Sequence, residues 1–124
     1  TYLGLMSHGF PNMFMITGPQ SPSVLSNMMV SIEQHVELVS DTIGAMEQRG
    51  VRTLEPTAQA QDDWVEHCRE LGEATLHPHD DTWYIGANIP GKPRVFMPYI
   101  GGCHTYRARC EEIVAAGYEG FELK

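Results

Sequence analysis

The side chains of this sequence that could do chemistry fall into three groups. His77, His79, Asp80 and Asp81 offer imidazole and carboxylate donors within five residues, the ligand types of a divalent metal site. Pro78 constrains the chain between the two histidines, however, and no second ligand group stands at a familiar spacing, so a solvated loop ending a helix explains the same residues. Cys103, His104 and Cys110 also lack the paired spacing of a zinc site, and Cys103 and Cys110, seven apart, fit one buried helix face. A small metal-dependent hydrolase using His77, His79 and Asp81 would hold stoichiometric metal after purification; the expectation is none.

The third group would act through its backbone. Met13 to Thr17 form a compact apolar and β-branched run, stopped by Gly18, Pro19, Ser21 and Pro22. Leu25, Met28 or Met29, Ile32, Val36, Val39, Ile43 and Met46 then recur three or four residues apart, with Glu33, Glu37, Asp41 and Glu47 largely off that stripe. The pattern predicts a strand buried on both faces, a turn, and a long amphipathic helix capped by Ser21 or Asn27 and ended at Gly50. A helix N-terminus just after a strand carries unpaired N-H groups and roughly half a positive charge, which suits a phosphate, a carboxylate or an electron-rich cofactor edge. An ordinary strand-turn-helix connection would look the same.

Other elements must position these groups. Residues 1 to 12 read as an apolar lead-in broken by Ser7, His8, Gly9 and Pro11, with His8 a loop histidine. After a turn at Thr53 to Pro56, a second helix is expected from about Thr57 to Leu76, with Ala60, Trp64, Cys68, Leu71 and Thr75 on one face and Trp64 in the core. Thr82 to Pro98 carry Trp83, Tyr84, Gly86, Asn88, Pro90, Gly91 and Pro93, the composition of an irregular loop, while Lys92 and Arg94 add cations suited to an anionic ligand. Arg94 to Tyr99 then predict a short strand, Cys103 to Val114 a helix stopped at Gly117, and Tyr118, Phe121 and Leu123 an edge strand or packing tail.

Composition sets the class. The 124 residues suffice for one modest core, and 42% hydrophobic content with a mean hydropathy of -0.26 is ordinary for a globular protein. Eight basic against sixteen acidic residues, with no basic run, argue against nucleic acid. No apolar run approaches a membrane span and no signal peptide is visible. Three cysteines without a scaffold pattern predict free thiols in a reducing cytoplasm. Thr1 leads directly into an apolar segment without an initiator Met, which suggests a piece of something longer.

Two long blocks carry a resemblance. FPNMFMITGPQSPSVLSNM followed by SIEQHVE, and later TWYIGANIPGKPRVFMPYIGG followed by YRARCEE and GYEGFELK, resemble the carboxyl-terminal part of the flavin-dependent Baeyer-Villiger monooxygenases, in the same order. The resemblance implies an α/β parent that uses NADPH, FAD and dioxygen to insert one oxygen atom beside a ketone carbonyl. This chain would be the carboxyl-terminal part of its Rossmann-like FAD-binding domain, incomplete alone. Residues 1–52 would complete that domain, 53–81 form the second helix and connection, and 82–124 hold the NADP-responsive loop and the final strand and helix. No GxGxxG, no FxGxxxHxxxW and no family active-site arginine or aspartate occurs here, so the chain carries no catalytic residue and would be inactive alone.

By matching motifs, the resemblance implies that Gly18, Asn27 and Met28 lie beside FAD, with the Met28 N-H facing the flavin pyrimidine edge. Ser23, Val24, Leu25, Ser26 and Met28 would line the substrate pocket, and Trp83 would contact NADP. Gln20 stands where the family carries glycine. The implied partners are the upstream part of the same enzyme, a ketone and O2; alone, the exposed helix stripe predicts self-association or partial disorder. A stand-alone, non-enzymatic protein-interaction module is the competing reading.

Overall fold

In the computed structural model, which describes residues 1–22, 26–75 and 83–124, the long helix α1 spans Met28–Arg49. Of the two candidate caps, Asn27 is the one used: its side-chain oxygen accepts from the Met29 N-H at 3.0 Å. Gly50 ends the helix with φ +65, a left-handed angle that glycine adopts without a Cβ penalty, and Arg49 occupies the last turn as expected.

The face that α1 turns inward is only in part the predicted one: Val39 and Met46 pack against the core, joined by Leu38. Ser31, Gln34, His35 and Thr42 are buried, whereas Met29, Val36 and Ile43, seven residues apart, are 61%, 51% and 44% exposed. Of the predicted stripe, Ile32, Val39 and Met46 are half-buried. The polar side chains on the inward face are buried because the neighbouring elements supply hydrogen-bond partners for them, among them Tyr106 for His35 and Cys103 for Ser31.

The predicted strand over Met13 to Thr17 is absent. That segment is irregular, with Asn12 and Thr17 at positive φ and with Met13 and Ile16 40% and 42% exposed. Its bonds go singly to a turn rather than to a ladder: the Met15 N-H donates to the Leu5 carbonyl at 2.8 Å and the Gly18 N-H to the Gly4 carbonyl at 3.0 Å. No neighbouring strand runs beside it among the described residues, and an apolar run without one has no ladder to join. Arg94 to Tyr99 likewise form an extended strap instead of a strand. Pro93 and Pro98 lack the N-H groups a ladder needs, and among the described residues the strap keeps a single bridge, Tyr99 with Pro22.

The two later helices and the final strand follow the sequence closely, whereas Leu54–Pro56 pairs as a strand where Thr53 to Pro56 suggest a turn. Helix α2 spans Ala58–Glu73, where the Thr57 hydroxyl caps the Ala60 N-H at 3.1 Å. Helix α3 spans Cys103–Ala115. Strands β1 (Leu54–Pro56) and β2 (Phe121–Leu123) form a two-stranded antiparallel sheet pairing Leu54 with Leu123 and Pro56 with Phe121. Among the described residues, a small sheet and three α-helices thus enclose one core. It gathers Tyr2, Leu3, Leu5 and Met6 of the lead-in with Trp64 and Cys68 of α2, Tyr99, and Tyr106, Cys110 and Ile113 of α3. No described helix is long and apolar enough to cross a membrane.

The strap meets α2 at Gly72, where a Cβ would stand 2.6 Å from the Phe96 ring. Gly72→Ala is therefore expected to displace Phe96 and cost about 1–3 kcal/mol in urea unfolding despite alanine's better helix propensity. Unchanged or raised stability would show that the ring does not rest on that glycine.

Candidate functional site

The turn over residues 17–22 is held from every side. Gly18 sits so close to the lead-in that a Cβ on it would lie 2.7 Å from the Gly4 carbonyl, and a Cβ on Gly4, itself at φ +65, would lie 2.5 Å from the Ser21 Cβ. The Ser21 hydroxyl and N-H both donate to the Gly18 carbonyl, at 2.7 and 3.1 Å. Gln20 takes a left-handed φ of +66, the angle a glycine at this position would accept freely. Strain of this kind costs about 1 kcal/mol or more. Buried hydrogen bonds oppose it: the Gln20 N-H donates to the Met97 carbonyl at 2.6 Å, and its carbonyl accepts from the Trp64 indole N-H at 3.1 Å.

His35 holds the start of the same turn. Its Nδ1 accepts from the Thr17 N-H at 3.0 Å, and its Nε2 lies 2.7 Å from the Tyr106 hydroxyl. That hydroxyl donates its one proton to the Leu3 carbonyl at 2.6 Å. It must therefore accept from the ring, which assigns a neutral imidazole protonated on Nε2. Burial lowers the pKa of His35, and the Met15 backbone, which favours the charged ring, does not overcome it. Burial also pushes Tyr106 well above the ordinary tyrosine value.

Beyond the turn, α1 presents its N-terminus. The Asn27 side chain takes the Met29 N-H and the Asn27 carbonyl the Val30 N-H at 3.1 Å, leaving the Met28 N-H without a partner among the described residues. No acidic residue occupies the first helical turn, so the helix itself supplies no carboxylate to neutralise the positive end of its 22 residues. Met28 is 40% exposed and Ser26 half-buried. Ser23, Val24 and Leu25 lie outside the described residues.

Trp83 stands 62% exposed in a single 3-10 turn, Trp83–Ile85, with its ring 4.1 Å from that of Tyr84. The turns of Gly18 and Trp83 are joined through one residue of the strap. The Met97 N-H donates to the Tyr84 carbonyl at 2.9 Å, while the Met97 carbonyl accepts from Gln20.

The remaining candidates separate from this site. His77, His79, Asp80 and Asp81 lie outside the described residues, and among the described ones no three His, Cys, Asp or Glu side chains converge as metal ligands. All three cysteines are free thiols, Cys68 and Cys110 buried and Cys103 half-buried. Burial pushes Cys68 up to about 12 and Cys110 to about 11, so neither is a thiolate at neutral pH. His8 is exposed and bonds the Pro56 carbonyl through Nδ1 at 3.0 Å. An open cleft of about 600 Å³ between α2 and α3 has a floor of Trp64 stacked on Tyr99, with Asp63, His67 and Arg109 around it.

Sequence reasoning missed His35 and the Leu3-Gly4 turn. The signal for His35 was present in part: Ser31, Gln34, His35 and Thr42 are uncharged polar residues at helical spacing, set among Glu33, Glu37 and Asp41. Uncharged polar groups can be buried against partners where carboxylates are left in water.

No family model matches the chain. Among curated proteins it is 47% identical over 117 residues to a Baeyer-Villiger monooxygenase of Pseudooceanicola batsensis, covering 94% of this chain and 21% of that protein. It is 31% identical over 123 residues to an FAD-binding monooxygenase of Aspergillus aculeatus, covering 99% of this chain and 21% of that protein. Among solved structures, cyclohexanone monooxygenase from Rhodococcus sp. Phi1 bound to NADP+ superposes with a TM-score of 0.94 at 42% identity, over 100% of this chain and 23% of that one. The chain spans about a fifth of the length of these relatives. Over nearly its whole extent it matches one segment of them, as the two sequence blocks implied, and it belongs to the Baeyer-Villiger monooxygenase family.

Proposed function

We propose that this chain is the carboxyl-terminal segment of an FAD- and NADPH-dependent Baeyer-Villiger monooxygenase that converts ketones to esters or lactones with O2, and that it is inactive alone. The observation that carries the reading is the braced turn at Gly18 preceding a long helix whose first turn holds no acidic residue, in a chain of this family. In a parent completed by the upstream part, residues 1–52 finish a Rossmann-like FAD-binding domain. Residues 53–81 connect it to 82–124, which carry the NADP-responsive loop. The cytoplasm is the compartment this reading supposes.

The residues fit a flavin in chemical terms. The Met28 N-H is a donor with no partner among the described residues, at the positive end of α1, where negative charge on a reduced ring is favoured. Gly18 and Asn27 shape the approach, since a side chain at 18 would strike the lead-in and Asn27 starts the helix. FAD, when bound, supplies the oxygen chemistry; this chain's part is to hold one edge of the cofactor and exclude water. Ser23, Val24, Leu25, Ser26 and Met28 line the ketone pocket, where the flexible Met28 side chain adapts to varied substrates. Trp83, exposed and beside Tyr84, offers a flat ring and an indole N-H to NADP.

The outer face of α1, with Met29, Val36 and Ile43 exposed, is the surface the upstream part covers. The isolated chain is expected to elute from size exclusion above its 13.9 kDa monomer mass. A strictly monomeric, cooperatively folding chain would contradict this. Mixed with the upstream part, it should restore NADPH oxidation stimulated by a ketone, with an oxygenated product by mass spectrometry. Binding of the upstream part without flavin retention or turnover would favour the non-enzymatic interaction module instead.

A further inference from the structure

We propose that His35 is a positioning residue whose neutral ring sets the Thr17-Gly18 turn against the core. The consequence for cofactor and substrate rests on the function proposed above; the effect on the turn does not.

Three observations converge on this ring. It is fully buried, it lies on the helix whose N-terminus the turn feeds, and both its nitrogens are used. The two nitrogens also serve different partners. Nε2-H donates to Tyr106, whose hydroxyl donates to Leu3, so that side ties α1 to α3 and the lead-in. Nδ1 serves Thr17, whose left-handed φ of +52 is one that a β-branched residue holds only when its surroundings impose it. One nitrogen therefore secures the core and the other the turn, and the two roles can be separated by substitution.

Protonation would reverse the second role. An imidazolium carries a hydrogen on Nδ1 and cannot accept from the Thr17 N-H, leaving two donors face to face. The other groups around the ring are uncharged in the acid range. Tyr106 and the nearby Cys110 on α3 are both raised by burial, Cys68 on α2 is raised too, and the lead-in and residues 15–17 present the backbone of Leu3, Met15 and Thr17. The ring's folded pKa lies below the ordinary 6.5. Stability from the neutral form is therefore complete above about 6.5 and lost as the pH falls through the lowered folded value.

The test compares two variants in the 124-residue chain and in the protein reassembled with its upstream part. His35→Asn places an amide oxygen about where Nδ1 stands, keeping the acceptor for Thr17 and losing the bond to Tyr106. His35→Gln places an amide N-H about where Nε2 stands, keeping Tyr106 and losing Thr17. The expected result is that His35→Gln speeds hydrogen exchange of the Thr17 amide by about tenfold or more relative to the global rate, the factor that loss of one buried hydrogen bond allows. His35→Asn should lower global stability while keeping that amide protected against local opening. In the reassembled protein, His35→Gln should divert more NADPH oxidation from ester formation to hydrogen peroxide, and His35→Asn should restore the coupling. Equal Thr17 exchange in the two variants would overturn the inference. If wild-type reassembly retained no flavin, the function proposed above would fail while the exchange result still judged the role of His35.

Discussion

A hydrogen bond of 2.7 Å between His35 Nε2 and the Tyr106 hydroxyl is the contact on which the rest of this structure depends. Its direction is fixed at both ends, by the Leu3 carbonyl that consumes the hydroxyl proton and by the Thr17 N-H that occupies Nδ1. Four segments distant in sequence, the lead-in, the 17–22 turn, α1 and α3, thus meet in one chain of satisfied buried groups. Leaving any one of them unpaired would cost about 1–3 kcal/mol, more than a typical hydrogen bond contributes in net terms. Such a network tolerates few alternative arrangements, and it fixes the path of a turn that has no strand to support it.

That network also explains why α1 is oriented as it is. Beside Leu38, Val39 and Met46, α1 buries uncharged polar side chains because Tyr106, Thr17 and Cys103 await them. A second apolar face, with Met29, Val36 and Ile43, is left outside. Relatives that this chain matches over nearly all its own length are four to five times longer. A helix with two burial faces is what a segment between its own small core and a larger neighbouring body requires. The turn and the helix end would then sit at the boundary between the two bodies, where pockets for cofactors are commonly built.

Local rules written in the sequence were largely legible. Gly50 as a left-handed cap, Thr57 and Asn27 as helix starts, Trp64 in the core and the tail at Phe121 to Leu123 all depend on neighbouring residues alone. Periodicity was half informative. The apolar spacing along α1 is real, but of that stripe Val39 and Met46 pack against the core while Met29, Val36 and Ile43 stay exposed in the described structure. The run Met13 to Thr17 read as a strand because composition cannot show whether a neighbouring strand is there to complete a ladder. The lead-in appeared to be a plain connection, yet Tyr2 to Met6 fill the centre of the core through a turn at Leu3 and Gly4 whose angles no apolar pattern encodes. Gln20 holds a left-handed backbone angle, which a non-glycine residue rarely takes, because Met97 and Trp64 bind its peptide groups.

The most direct measurement is the protonation state of the His35 ring, read by long-range nitrogen-proton NMR correlation on the 15N-labelled chain at neutral pH. The structure predicts a neutral imidazole with its proton on Nε2, persisting below the pH at which an ordinary histidine titrates. A ring protonated on Nδ1, or an imidazolium at neutral pH, would mean that Thr17 is not held as described, and the account of the braced turn would be wrong.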